Sequence, residues 1–192
     1  MLALVLGLIL FLGAHSVRIF AEEWRRNLIS RIGEGPWKGL YSLASLGGLV
    51  LIVGGFGMAR QDPVVLWTSP EWLRHAAIAL NLIAFILLAI YLVPSGRLKA
   101  RLGHPMLLAV KVWAFAHLLA NGTLADLLLF GPFLVWAIVD FAASRRRERA
   151  AGTVRIAGPA RNDAIAVVVG VLIWAAILWR VHEWVIGVSP LA

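Results

Sequence analysis

Apolar residues along this chain fall in six blocks, Leu2–Ile19, Leu40–Ala59, Trp72–Val93, Met106–Ala120, Leu124–Ala143 and Ala164–Ile186, with polar residues crowded between them. A helix crossing the hydrocarbon core of a bilayer needs roughly 17–25 mostly apolar residues. The fourth block is shorter and is punctuated by Lys111 and His117, so its packing against neighbours has to compensate. The pattern predicts an all-α, polytopic membrane helical bundle of about six transmembrane helices. No linker separates two hydrophobic halves and no internal repeat is visible, so residues 1–192 read as a single transmembrane domain. Glycines in Leu46-Gly47-Gly48 and Val53-Gly54-Gly55-Phe56-Gly57 mark the second segment for close helix packing, because small residues let backbones approach; the other reading is a groove for a flat ligand. Ser144 to Asp163, with Gly152, Gly158 and Pro159, reads as a mobile loop.

Composition agrees with the pattern. The chain is 61% hydrophobic and 15% charged, where a soluble domain carries about 25% charge. Its basic residues are unevenly placed. Arg18, Arg25, Arg26, Arg31 and Lys38 follow the first segment; Arg97, Lys99 and Arg101 follow the third; Arg145, Arg146, Arg147, Arg149, Arg155 and Arg161 follow the fifth. The other connections and the last segment hold only Arg60, Arg74 and Arg180. By the positive-inside rule the three basic connections lie in the cytoplasm and both termini outside. No Lys or Arg precedes the first apolar run, so it reads as an uncleaved anchor. The net charge of +8 is then a topology signal, and the Arg145–Arg149 cluster rests on anionic headgroups, with no nucleic acid implied. With no cysteine, disulfides and thiolate chemistry are excluded. Of the tryptophans, Trp24, Trp37, Trp67, Trp72 and Trp184 fall at interfaces, whereas Trp113, Trp136 and Trp174 lie deeper, as core packing or pocket lining.

Ionisable groups at membrane depth cost roughly 2.5–3.5 kcal/mol even on insertion scales, and persist where they pair, line a cavity or hold a ligand. His75 and His182 lie near the outer face, where snorkelling accounts for them. His104 precedes Pro105 at the entry to the fourth helix, with contact to an interfacial ligand as a second reading. His15 shares a helix face with Arg18 three residues on. The pair reads either as an interhelical hydrogen bond with a snorkelling arginine, or as a site for one ligand with an electron-rich centre and an acidic rim. His117 lies about 18 Å along its helix from Pro105, too deep to snorkel, and shares its face with Trp113 and Asn121. His104 sits about 140° away around the same helix, so one helix does not supply both histidines to a metal. If His117 ligates a metal, its intramembrane partner is His15, and two imidazoles from facing helices are a usual way to hold a haem iron. Depth along the helices leaves an offset of about 10 Å between them. Lys111 either reaches the interface on its long stem or neutralises a propionate, phosphate or carboxylate.

LGAHSVR in the first helix, IGEGPWKGLYSLASL leading into the second, and GHPMLLAVKVWAFAHLLANGTLADLLLFGPFLVWAIVD across the fourth and fifth resemble the NnrU family of bacterial membrane proteins. Together they cover most of the chain, and the third is long and specific. The family takes its name from a genetic association with nitrite and nitric oxide reduction. The resemblance extends to 15-cis-zeta-carotene isomerase, a membrane enzyme that uses haem b. Its haem-serving histidines, in His-Ser and Trp-x-x-x-His contexts, correspond to His15-Ser16 and to Trp113 through His117. The isomerase carries a cysteine inside the second motif where this chain has Ala114, so a redox-linked ligand switch is not implied here.

The resemblance therefore implies haem b, with His15 and His117 as iron ligands and Arg18, His104, Lys111, Trp113 and Asn121 around the cofactor. It also implies a bacterial inner-membrane location. The function would be isomerisation of an apolar polyene, electron transfer, or an accessory role beside a reductase. A competing reading rests on His104-Pro105, which faintly resembles the S-adenosylmethionine-binding element of membrane isoprenylcysteine-type methyltransferases, although Met106-Leu107-Leu108 replaces the usual Tyr-x-Gly. A third reading is a non-catalytic assembly or regulatory partner of the denitrification enzymes without bound cofactor; a homo-oligomer or a reductase partner is compatible with these readings.

Overall fold

The computed structural model describes residues 1–191 and is a bundle of helices. In chain order these are α1 (Leu2–Phe20), α2 (Glu22–Ile32), α3 (Glu34–Ala59), α4 (Glu71–Leu92), α5 (Arg97–Leu102), α6 (Pro105–Ala120), α7 (Leu124–Ala150) and α8 (Ala160–Ala176). A π turn (Ile177–Val181) then leads directly into α9 (His182–Ile186). Among the described residues five helices are long and apolar enough to cross a membrane: α1, α3, α4, α7 and the continuous run Ala160–Ile186. The expected fourth crossing, α6, has 16 residues and falls in the shorter class.

Packing orders the helices as α3, α1, α7, α6, α4, α8, each touching the next. Glycine sets the tightest of these contacts. A methyl group on Gly7 would meet the Ile52 nitrogen at 2.6 Å, and one on Gly48 would meet the Phe11 nitrogen at 2.7 Å. Gly55 lies equally close to the Leu4 backbone. Gly48 and Gly55 of the second segment, with Gly7, are therefore a packing seam between α1 and α3, whereas Gly54 and Gly57 meet nothing within 4 Å. Gly170 does the same for α8 against Ile86 of α4. The other faces of these helices carry exposed Leu, Ile and Val, as expected of surfaces that meet lipid.

Two connections differ from expectation. The polar stretch after the first crossing is helical. Glu22 and Glu23 in the first turn of α2 and Arg31 in its last turn complement the helix dipole, and Gly33 (φ 87°) ends it. The stretch from Ser144 to Asp163, read as a mobile loop, is mostly helix, since α7 continues to Ala150 and α8 begins at Ala160. What remains is fastened at several points. The Asp163 carboxylate accepts from the backbone N–H groups of Arg97 and Leu98, both at 3.0 Å, capping α5. Asn162 Nδ2 donates to Ser95 O at 2.9 Å. Arg155 forks onto Glu148 and also donates to Ala100 O.

At the opposite end, Gly122 O accepts from Leu66 N and Trp67 N, and Leu124 N donates to Val64 O. Thr123 then starts α7 with a reciprocal cap: its hydroxyl accepts from Asp126 N while Asp126 accepts from Thr123 N. The molecule thus has a basic end, built from α2, α5 and the α7–α8 connection, and a second end built from the α3–α4 and α6–α7 connections.

Candidate functional site

A cavity of about 510 Å³ opens at the basic end between α1, α3, α7 and the start of α6. That lies within the range of about 300–1,000 Å³ typical of small-molecule and cofactor sites. His15 enters it from α1. A helical side chain leans back over the preceding turn, and the His15 ring accordingly stacks on Phe11, centroids 4.2 Å apart. Its Nδ1 donates to Phe11 O at 2.7 Å. A carbonyl only accepts, so this bond puts a proton on Nδ1, and in the neutral ring Nε2 then carries the lone pair, the arrangement usual for a ligating histidine. Tyr41 of α3 and Trp136 of α7 complete the aromatic surround of the ring, with centroids at 5.1 and 6.0 Å.

The cavity is cationic at its rim. Arg18, Arg25, Lys99 and Arg147 line it. Arg147 donates to Ser144 Oγ at 2.7 Å and pairs with Asp140 at 3.4 Å. Lys99 Nζ donates to the carbonyls of Tyr91 and Val93 at the end of α4. Trp136 Nε1 is buried and has no acceptor among the described residues. An unpaired buried donor costs about 1–3 kcal/mol, so a ligand bringing an acceptor to this wall relieves it.

His104 also lines this cavity, which the spacing within its own helix did not indicate. Its Nε2 lies 3.1 Å from Glu148 Oε2, the carboxylate that Arg155 also holds. Pro105 follows at the first position of α6. The helix-entry reading of His104-Pro105 therefore describes the backbone, and the imidazole is tied to the polar end of α7.

His117 is elsewhere. It lies ten residues beyond Leu107, the last residue of α6 at the first cavity, which is about 15 Å along the helix. It lines a second, smaller cavity of about 100 Å³ with Asn81, Trp113, Trp174, His182 and Pro190. Between the two histidines stand aromatic rings: Phe11 meets Phe133 at 5.8 Å, Phe133 meets Trp113 at 5.7 Å, and Trp113 meets His117 at 5.1 Å. Helix α7, which carries Phe130 and Phe133, lies between α1 and α6. The structure thus places His15 and His117 at separate cavities.

The remaining expected residues are dispersed. Lys111 Nζ sits over the Phe141 ring, 3.8 Å from its centroid, and lines neither cavity. Asn121 caps α6, its Nδ2 donating to His117 O at 2.9 Å. Trp113 packs against Phe130, Phe133 and His117 and faces the second cavity. Among the described residues no three His, Asp or Glu side chains gather at one point as a metal site. Sequence reasoning left Trp136 between core packing and pocket lining, assigned His182 to snorkelling at the outer face, and did not consider Asn81. Asn81 did carry a signal, as the lone amide in the apolar run AAIALNLIAFILL.

Neither a curated protein nor a solved structure gives a significant match to this chain. The family model described as NnrU protein matches residues 3–190, nearly the whole length. With a helical membrane bundle beneath that match, the chain belongs to the NnrU protein family.

Proposed function

We propose that this NnrU family member binds haem b in the cavity at its basic end, where His15 would hold the iron. The observation that carries this reading is His15 itself: a membrane-depth imidazole with Nδ1 bonded to Phe11 O, Nε2 left as the lone-pair nitrogen, and an aromatic-walled cavity in front of it. The group to be held is flat, apolar and edged by two carboxylates. Tyr41 and Trp136 suit its faces, Arg18, Arg25 and Lys99 suit its propionates, and the free Trp136 N–H suits a carboxylate oxygen. When bound, haem supplies iron for one-electron chemistry or for coordination of a small ligand. The chain's own part is to orient the macrocycle, neutralise its acidic edge and exclude water from the His15 face.

The role that follows is isomerisation of an apolar polyene, or an accessory part in nitrite or nitric oxide reduction beside a reductase. The loop charges support a bacterial inner membrane with both termini periplasmic and this cavity on the cytoplasmic side. A methyltransferase reading is less well supported, because the His104 imidazole lies against the Glu148 carboxylate that Arg155 holds. The test is the optical spectrum of the purified protein after expression with ample haem. The expected result is a Soret band at one haem per chain, lost in His15→Ala. A colourless wild-type protein that takes up no haem on titration would overturn the reading.

A further inference from the structure

Lys111 stands apart from both cavities and is the only lysine or arginine of α6. It lies about 9 Å along the helix from Pro105, at a depth where a charge persists if something pairs with it. Its ammonium rests 3.8 Å from the centroid of the Phe141 ring. A ring face attracts a cation but does not accept the three ammonium N–H bonds as oxygen does. No oxygen among the described residues takes them. The acids on this part of α7 are already committed, Asp140 to Arg147 and Glu148 to Arg155.

The face that carries Lys111 opens outward. Leu108 and Phe115 share it, and Phe115 is 47% exposed. Along the facing edge of α7, Ile138 and Arg145 flank Phe141 at helical spacing, and Ile138 is 49% exposed. Arg145 has no acidic partner among the described residues. Helices α6 and α7 are joined through residues 121–123 and pack antiparallel. A helical side chain leans toward the N-terminus of its own helix. Lys111 therefore leans toward the basic end, and Arg145 leans back from that end toward Phe141. Helix α6 has 16 residues, which is about 24 Å against a hydrocarbon core of roughly 30 Å. A span this short draws the headgroup layer inward, toward Lys111.

We propose that the basic end of the α6–α7 groove binds one anionic phospholipid, with its phosphodiester between Lys111 and Arg145 and an acyl chain along Phe115 and Ile138. Two cations without an acid of their own suit an anion, and a lipid-facing groove receives that anion as a headgroup with its chain attached. Basic pockets between spanning helices take anionic headgroups in this way. The lipid supplies the oxygen acceptors that the chain does not offer Lys111. The site is separate from the His15 cavity, whose rim is built from Arg18, Arg25, Lys99 and Arg147.

Native mass spectrometry of the full-length, delipidated protein in detergent tests this. Phosphatidylglycerol is the probe, and phosphatidylcholine with the same chains is the comparison without net charge. The expected result is one phosphatidylglycerol per chain, held at least about tenfold more tightly than phosphatidylcholine. Lys111→Gln and Arg145→Gln should each weaken it about tenfold, as expected for one charged hydrogen bond. Arg146→Gln removes the same charge about 100° around α7 and should bind as wild type does. Glutamine is as good a helix former as lysine or arginine, so these variants keep their helices. The proposal is overturned if the two lipids bind alike, or if Arg146→Gln costs as much as Lys111→Gln. It is also overturned if inorganic phosphate or oleate displaces the phospholipid at equal concentration, which would make the occupant a free anion or a fatty acid. Haem content of the same samples should be unchanged in Lys111→Gln; its loss would place the lysine at the cofactor and overturn the proposal. Because haem and lipid are read separately, failure of this site and failure of the His15 reading are distinguishable.

Discussion

The indole of Trp136 stands edge-on to the imidazole of His15, ring centroids 6.0 Å apart, and its buried N–H has no acceptor among the described residues. An unsatisfied donor costs about 1–3 kcal/mol. Trp136→Phe removes the donor and keeps an aromatic face. It should therefore stabilise the ligand-free protein slightly and weaken haem binding by about tenfold, one hydrogen bond to a charged acceptor being worth about 1.5 kcal/mol. Haem titration of the apoprotein, with a thermal melt of the same sample, reads both signs.

Gly7 faces the backbone of Gly48 and Ile52 with no space for a Cβ. Gly7→Leu should cost at least about 1–3 kcal/mol, the usual penalty of overpacking, by forcing α1 from α3. Gly13→Ala, where nothing lies within 4 Å, is the control and should melt at or above the wild-type temperature. A lowered melting temperature in the first and not the second would be the expected pair of results.

The crossings were legible in the sequence because a bilayer demands long apolar runs, and Leu2–Phe20 or Glu71–Leu92 differ from the expected spans by a residue or two. The polar connections were not. Helix α2 is a surface helix whose support is Arg18–Glu22 and Glu22–Arg25 pairing, which a hydrophobic pattern does not register. The fastening of residues 151–159 depends on Asp163 reaching the start of α5 and Arg155 reaching Glu148, contacts across the fold. His15 and His117 were each recognisable as costly at membrane depth. Their separation was not, because α7 lies between α1 and α6 and helix order cannot be read from chain order. His182 read as a snorkelling residue at the outer face, and its place beside Asn81 and His117 depends on contacts across the fold.

The Arg155–Glu148–His104 contact gives the α7–α8 connection a specific vulnerability. Glu148→Ala should leave Arg155 without its carboxylate and loosen residues 151–159, where Arg155 itself is a trypsin site. Limited trypsin digestion of the detergent-solubilised protein should cut there about tenfold faster than in wild type, since charged hydrogen bonds are worth about 1.5–3 kcal/mol and cleavage follows the open population. Equal cleavage rates would show that the connection is held by its other contacts, such as those of Asp163 and Asn162, without the Glu148 carboxylate.

The most direct test compares haem retention in two single variants, His15→Ala and His117→Ala, against wild type by Soret absorbance per chain. With the cofactor held from α1 in the basic-end cavity, His15→Ala should retain less than about a tenth of the wild-type haem, in line with loss of an iron ligand, whereas His117→Ala should retain nearly all of it. Equal and severe loss in both variants would contradict the account, because it would require the two imidazoles to share one iron.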